Sequence, residues 1–280
     1  MFIKTAVPQD GLTPQLLPIL VEASALLKAQ YDDYCAGQAF DIEKKLDDSP
    51  VTQADLKIHQ YLAAELASVS DLPLLSEEGQ HHDRQQWTRF WLLDPLDGTK
   101  EFLKQRAEFT INLSLIEHHS TTFAILAAPA KGVIYFCPEQ GLPLKYDLHT
   151  QQWWRYQHAQ SNSSVKIGVS QSAQQKQHYA TYLEALHALQ PYQTVRAGSA
   201  YKFCLMLEDE IDLYPRFHPT YEWDTSAGQC FLERIGGGLV DLHGKAFHYN
   251  ARDSLLNGNF IAYRDEVWRT LAFQALAPMS

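Results

Sequence analysis

Leu16, Leu20, Ala23, Leu27 and Tyr31 recur at about one helical turn, a spacing that predicts a long amphipathic helix near the start of the chain. Thr13 and Pro14 read as its start, a capping side chain before a proline whose missing N–H costs nothing in a first turn. The polar run from Tyr34 to Ser49, with Lys44, Lys45, Asp47 and Asp48, breaks the pattern and predicts a loop. VTQAD then opens a second helix, with Leu56, His59, Leu62 and Leu66 along one side. LPLL (72–75) and FWLL (90–93) are short apolar runs between turn signals, as buried strands are, and each leads into acidic residues.

Beyond residue 110, INLSLIE, TFAILAAPA and GVIYFCPE predict further strands of one sheet. The Gln-rich, Trp-containing stretch from Thr150 to Ser164 reads as a bridge to a second half that alternates. There VKIGVS, TVRAG, IDLYPR, GLVDL and FIAY predict strands, with helices through Tyr182 to Leu189, from Ser199, from Asp224 and at the end of the chain. This order predicts a layered α/β (α+β) sandwich, divided into an N-terminal half at 1–160 and a C-terminal half at 161–280.

Composition narrows the partners. A chain of 280 residues with 45% hydrophobic residues can bury a large core. Its net charge of −10 argues against a nucleic-acid polymer or a broad anionic membrane surface, so a phosphate ligand needs local cations. No apolar run is long enough for a transmembrane segment, and MFIKTAVPQDG does not read as a signal peptide. Cys35, Cys137, Cys204 and Cys230 are far apart with no CxxC pair, which fits reduced thiols and a cytoplasmic protein. Peripheral association with the inner face of the cell membrane is left open, as is the oligomeric state. The histidines, His81 and His82 included, form no HExxH or other zinc spacing.

The chemistry concentrates in acids: Asp55, Glu77 with Glu78, Asp94 with Asp97, and Asp224. Crowded carboxylates repel one another and lose hydration when buried, so a cluster implies a bound cation or raised proton affinity. Oxygen ligands of this kind suit Mg²⁺, Mn²⁺ or Ca²⁺ rather than zinc. Taken singly, Asp55 and Asp224 are ordinary helix caps and SEEG an ordinary surface turn. D-P-x-D-G-T is harder to explain that way: Pro95 stiffens a turn that can aim Asp94, Asp97 and the Leu96 carbonyl at one point. Gly98 and Thr99 follow where a helix start would offer N–H groups to phosphate.

Asp55, Glu77-Glu78, Asp94 to Thr99 and Trp223-Asp224 through Gly228, in that order, resemble the signature of the inositol monophosphatase superfamily of Mg²⁺-dependent, lithium-sensitive phosphomonoesterases. The resemblance implies the inositol monophosphatase/fructose-bisphosphatase-like layered fold, with metals between the halves. It implies Glu77, Asp94 and the Leu96 carbonyl as ligands of a first metal, and Asp94, Asp97 and Asp224 as ligands of a second. Asp55 and Thr99 correspond to the pair that orients and deprotonates the attacking water, and Glu78 to an outer or third-metal position. Two or three Mg²⁺ ions are expected, with Mn²⁺ an alternative.

Where inositol monophosphatases usually continue with threonine or serine and Asn-Phe, this chain reads Lys100-Glu101-Phe102. Together with GSAYKFCLML, LYPRFHPT and EWDTSAGQ, this resembles the 3′(2′),5′-bisphosphate nucleotidases of the CysQ type, which convert adenosine 3′,5′-bisphosphate to AMP and recycle a by-product of sulfate assimilation. For such a substrate Gly98, Thr99, Lys100, Ser199, Lys202, Tyr214, Arg216 and Asp224 are the expected contacts. Ser199 would offer a hydroxyl and nearby N–H groups, and Tyr214 a face for adenine. Ala200 and Ser226 depart from the usual serine and alanine of that branch. Alternatives are an inositol or sugar phosphatase of the same superfamily and a non-catalytic metal- or nucleotide-binding regulator. The dehalogenase-type phosphatase motif does not fit, because its two aspartates are spaced D-x-D rather than D-x-x-D.

Overall fold

Two β-sheets and three helical layers alternate in the computed structural model, which describes residues 1–9, 11–44, 50–80, 82–158, 164–171 and 177–277. The outer layer on one side is α1 (Leu12–Cys35) and α2 (Gln53–Val69), preceded by strand β1 (Phe2–Thr5) and separated by the hairpin β2 (Ile42–Lys44) and β3 (Pro50–Thr52). Beneath them, β4 (Leu74–Ser76), β5 (Arg89–Asp97), β6 (Thr110–Glu117), β7 (Ser120–Ala128), β8 (Val133–Cys137), β9 (Leu144–Asp147) and β10 (Gln152–Tyr156) join β1 in an eight-stranded sheet ordered β1-β10-β9-β8-β7-β6-β5-β4. The short α3 (Thr99–Leu103) follows β5.

The second sheet holds β11 (Val165–Val169), β12 (Tyr192–Arg196), β13 (Leu213–Arg216), β15 (Gly238–Asp241) and β17 (Phe260–Tyr263), ordered β12-β11-β13-β17-β15. Between the sheets lie α5 (Tyr201–Leu207) and α6 (Glu222–Arg234); α4 (Gln177–Leu189) and α7 (Glu266–Leu276) cover the far side. Strand β14 (Thr220–Tyr221), directly before α6, pairs with β16 (Leu256–Asn257) in a two-stranded ribbon.

Strand alternation builds the layers. On β5, Trp91 and Leu93 pack with Leu16, Leu20 and Leu62 of the outer helices, whereas Phe90 and Leu92 face Phe203, Trp223 and Phe231 of the middle layer. That middle core continues to Leu239, Phe260 and Ala262 of the second sheet. Truncating a core leucine such as Leu20, which has no exposed surface, costs about 2–5 kcal/mol. The layered α/β architecture is the one the alternation of the sequence predicts.

Several local expectations change. Gly11, at φ 81°, rather than Thr13 caps α1; Thr13 lies inside the helix and is buried. The helix takes in Tyr34 and Cys35, and Ile42–Lys44 is a strand; Lys45, Asp47 and Asp48 lie outside the described residues, as does His81. On α2, Leu56 is 41% exposed and the buried stripe is Ala54, Ile58, Leu62 and Leu66, because β3 hands the chain over with Ala54 turned inward. Much of the supposed bridge is β10, which pairs with β1 and puts Trp153 and Tyr156 into the core; residues 159–163 lie outside the description. Cys137 and Cys230, both buried free thiols, stand 3.4 Å apart between β8 and α6.

Candidate active site

The acids converge because one strand is irregular. In a regular strand residues three apart face opposite sides, so Asp94 and Asp97 would be separated by the sheet. Strand β5 instead shifts register between them: Asp94 pairs with Asn112 and Asp97 with Thr110, two residues standing against one. Such a bulge flips the alternation. Leu96 accordingly packs into the outer-helix core beside Leu93, and Asp94 and Asp97 both look toward the middle layer. Pro95 therefore lies within the strand rather than in a turn beyond it.

Asp224 comes from the middle layer, at the third position of α6, where its Oδ2 accepts the Tyr221 N–H at 3.0 Å. Carboxylate oxygens of Asp94, Asp97 and Asp224 all lie within 4.8 Å of one another. Burial raises the proton affinity of Asp94 well above the carboxylate range, and Glu77, Asp97 and Asp224 add their repulsion. Burial and then Asp97 do the same to Asp224. Asp97 is raised by burial but held down by the Ala200 N–H at 2.5 Å, by Lys202 and Arg216, and by the Asn112 amide at 3.4 Å. Three oxygen donors, one buried and two half-buried, raised by desolvation and mutual repulsion are the donor set of a hard divalent cation.

Glu77 and Glu78 leave β4 in a turn, with the Glu77 N–H on the Leu93 carbonyl at 3.0 Å. Glu77 lines the cavity and acts electrostatically on Asp94, whereas Glu78 acts on Asp55 and His59. The Leu96 carbonyl accepts the Thr99 hydroxyl at 3.2 Å, and Thr99 also donates to Asp55 Oδ1 at 3.1 Å. Asp55 serves two ends at once. Its Oδ2 receives Thr52 N–H at 2.8 Å and Thr52 Oγ at 2.6 Å in a capping box, so the cap reading and the site reading describe one residue. Burial outweighs these bonds and raises Asp55 to about 6.

An open cavity of about 670 Å³ joins these groups. Glu77, Asp94, Leu96, Asp97 and Asp224 line one part, and Gly98, Thr99 and Lys100 another, with Lys100 exposed. Gly98 must be glycine: at φ 99° a β-carbon would stand 3.0 Å from Ser199 Cβ and 3.1 Å from the Glu108 carbonyl. Pro50, Glu101, Tyr221 and Trp223 complete the wall. The sequence reading assigned no role to Glu101, Tyr221 or the Asn112 amide on Asp97. Asn112 had a signal, a polar residue set with Ser114 on one face of an otherwise apolar strand.

The second-half residues are placed differently from expectation. Ser199 is not helical: at φ 48° it forms a turn before α5, donates to the Glu108 carbonyl at 2.8 Å and accepts the Tyr201 N–H at 3.1 Å. With Ala200 N–H on Asp97, the N–H groups expected to meet a phosphate are already committed. Lys202 is 1% exposed rather than a surface charge, and its ammonium donates to the Ala197 and Ser199 carbonyls at 3.0 and 2.9 Å. Tyr214 is also 1% exposed, its ring set against Phe203 and Phe260, which leaves no open face for a base. Its hydroxyl accepts Arg216 Nη1 at 3.0 Å, while Arg216 Nε is buried without a hydrogen-bond partner among the described residues. Arg216, Ser199, Asp97 and Asp224 also line a second, much tighter pocket. Ser226, at the position where alanine is usual, bonds Ser114 at 2.8 Å between α6 and β6.

A sandwich of this kind, with acids from both halves gathered at a strand bulge and a helix start, defines a phosphatase fold class, and comparison places it. Residues 14–276 match the model of the inositol monophosphatase family, and the chain belongs to that family. It is 37% identical over 230 residues to the 3′(2′),5′-bisphosphate nucleotidase CysQ of Escherichia coli (strain K12), covering 81% of this chain and 90% of that one. The crystal structure of CysQ from Bacteroides thetaiotaomicron, a bacterial member of the family, superposes with a TM-score of 0.76 at 28% identity, over 90% of this chain and 97% of the other. Inositol monophosphatase II from Staphylococcus aureus shares the fold at a TM-score of 0.75 and 15% identity, over 95% and 94% of the two chains. Among the described residues no helix is long and apolar enough to cross a membrane.

Proposed function

We propose that the chain is a Mg²⁺-dependent 3′(2′),5′-bisphosphate nucleotidase that hydrolyses adenosine 3′,5′-bisphosphate to AMP and phosphate. The observation that carries this reading is the Thr99 hydroxyl, bonded to Asp55 at the edge of the Asp94, Asp97 and Asp224 cluster. Glu77, Asp94 and the Leu96 carbonyl would hold one ion, Asp94, Asp97 and Asp224 a second, and Glu78 stands one layer out. When bound, the ions neutralise the transferred phosphoryl group and make a coordinated water acidic. Thr99 orients that water, and Asp55, reached through Thr99, is placed to take its proton; a base with an affinity near 6 is ionised and still basic at neutral pH.

The names of the relatives support a nucleotide bisphosphate over an inositol phosphate. Lys100 stands at the mouth of the cavity for the scissile group, and Arg216 is the cation suited to the second phosphate, since its Nε has no hydrogen-bond partner among the described residues and its fork can bind two oxygens. Lys202 supports that subsite from beneath by holding the 197–199 turn. The acidic composition and reduced thiols support a cytoplasmic setting. The test is phosphate release from a chromogenic phosphomonoester with and without Mg²⁺. Metal-dependent turnover supports an enzyme; tight Mg²⁺ binding without turnover makes the chain a regulator.

A further inference from the structure

Glu101 is an anomaly in a cavity built for anions. It lines the wall with Asp94, Asp97 and Asp224, opposite no described cation at bonding distance, and burial together with Asp97 raises its proton affinity. The charges of Lys202 and Lys104 and its own backbone N–H offset part of that rise without forming an ion pair with it among the described residues. It lies close against the backbone of Gly198: a β-carbon there would collide with its Cγ and carboxyl group, so the glycine leaves the room this side chain occupies. A carboxylate on the wall of a phosphate site repels the substrate unless it receives a proton donor.

We propose that Glu101 is a specificity-determining residue that accepts a hydrogen bond from the sugar hydroxyl adjacent to the scissile phosphate ester. In a ribonucleoside 3′,5′-bisphosphate that group is the 2′-hydroxyl; in the 2′,5′ isomer it is the 3′-hydroxyl. One acceptor therefore serves both isomers and rejects a sugar lacking the vicinal hydroxyl, because a half-buried carboxylate closed off by substrate and left without its donor is costly. Glu101 sits in Lys100-Glu101-Phe102, where the sequence leaves the inositol monophosphatase pattern. The inference rests on the nucleotidase reading.

The test compares adenosine 3′,5′-bisphosphate with its 2′-deoxy counterpart on wild type, Glu101→Gln and Glu101→Ala, reading kcat/KM, with inositol 1-phosphate as a third substrate. Wild type should favour the ribonucleotide by roughly ten- to hundredfold, the range of a hydrogen bond to a charged acceptor. That ratio should fall towards one in Glu101→Ala and lie between in Glu101→Gln, which keeps the shape that rests on Gly198 and a neutral acceptor. Equal losses on both nucleotides, or a wild type indifferent to the hydroxyl, would overturn this proposal and leave the nucleotidase reading standing. A wild type that cleaves neither nucleotide but turns over inositol 1-phosphate would overturn both.

Discussion

Replacing Asp97 by asparagine should separate what the acidic cluster costs from what it does. Carboxylates of Asp94, Asp97 and Asp224 lie within 4.8 Å, where each charged pair repels by about 3–4 kcal/mol at an effective dielectric of about 20. Burial and this mutual repulsion raise the proton affinities of Asp94 and Asp224 in the metal-free protein, so neutralising one member relieves its neighbours. Asp97→Asn keeps an oxygen for the Ala200 N–H and removes one charge, so the metal-free variant should be no less stable than wild type and about 1–2 kcal/mol more stable at pH 8. With Mg²⁺ the order reverses. An amide cannot neutralise the ion, and losing about 4 kcal/mol of metal-derived stabilisation lowers turnover roughly a thousandfold. Thermal unfolding with and without Mg²⁺, beside phosphate release at saturating Mg²⁺, reads both effects. A variant that keeps a tenth of wild-type turnover, or whose Tm rises with Mg²⁺ as the wild type's does, would refute the reasoning.

Thr99→Ala removes the hydroxyl between Asp55 and the Leu96 carbonyl and should cut kcat by about 10²–10⁴-fold while the Mg²⁺-induced rise in Tm survives; equal loss of Mg²⁺ binding would make Thr99 part of the metal site. Asp55, raised from 3.8 to about 6, stabilises the metal-free fold fully below pH 3.8 and loses that contribution as pH rises through about 6. Denaturant titrations should therefore show wild-type stability, relative to Asp55→Asn, falling by about 2–3 kcal/mol between pH 4 and 7, and a difference that rises with pH would contradict it. Arg216→Ala should lower kcat/KM for the nucleotide bisphosphate ten- to hundredfold and scarcely change a small phosphomonoester; uniform loss would remove Arg216 from the second-phosphate subsite.

Much of this was legible because the signals were local. Aspartates at fixed spacing before glycine and threonine, strands of alternating or continuous apolar residues, and a one-turn helical stripe each state their own conformation. What was hidden depends on distant packing. Strand β1 is short and half exposed, and nothing in FIKT announces that β10 waits for it at the sheet edge. The bulge that turns Asp97 to the same side as Asp94 exists in the pairing with β6 and not in either segment alone. Lys202 and Tyr214 carried polar handles that suggested an exposed ligand surface, yet carbonyls from the 197–199 turn and rings from α5 and β17 enclose them. Glu101 has no local signal of a site role, because the Gly198 it lies against is distant in the sequence.

The most direct test of the account measures phosphate release side by side from adenosine 3′,5′-bisphosphate, inositol 1-phosphate and fructose 1,6-bisphosphate, with Mg²⁺ and with the metal chelated. The site described here predicts the highest kcat/KM for the nucleotide, AMP as its product, and loss of activity on chelation. A preference for either sugar phosphate, or undiminished hydrolysis without the metal, would contradict it.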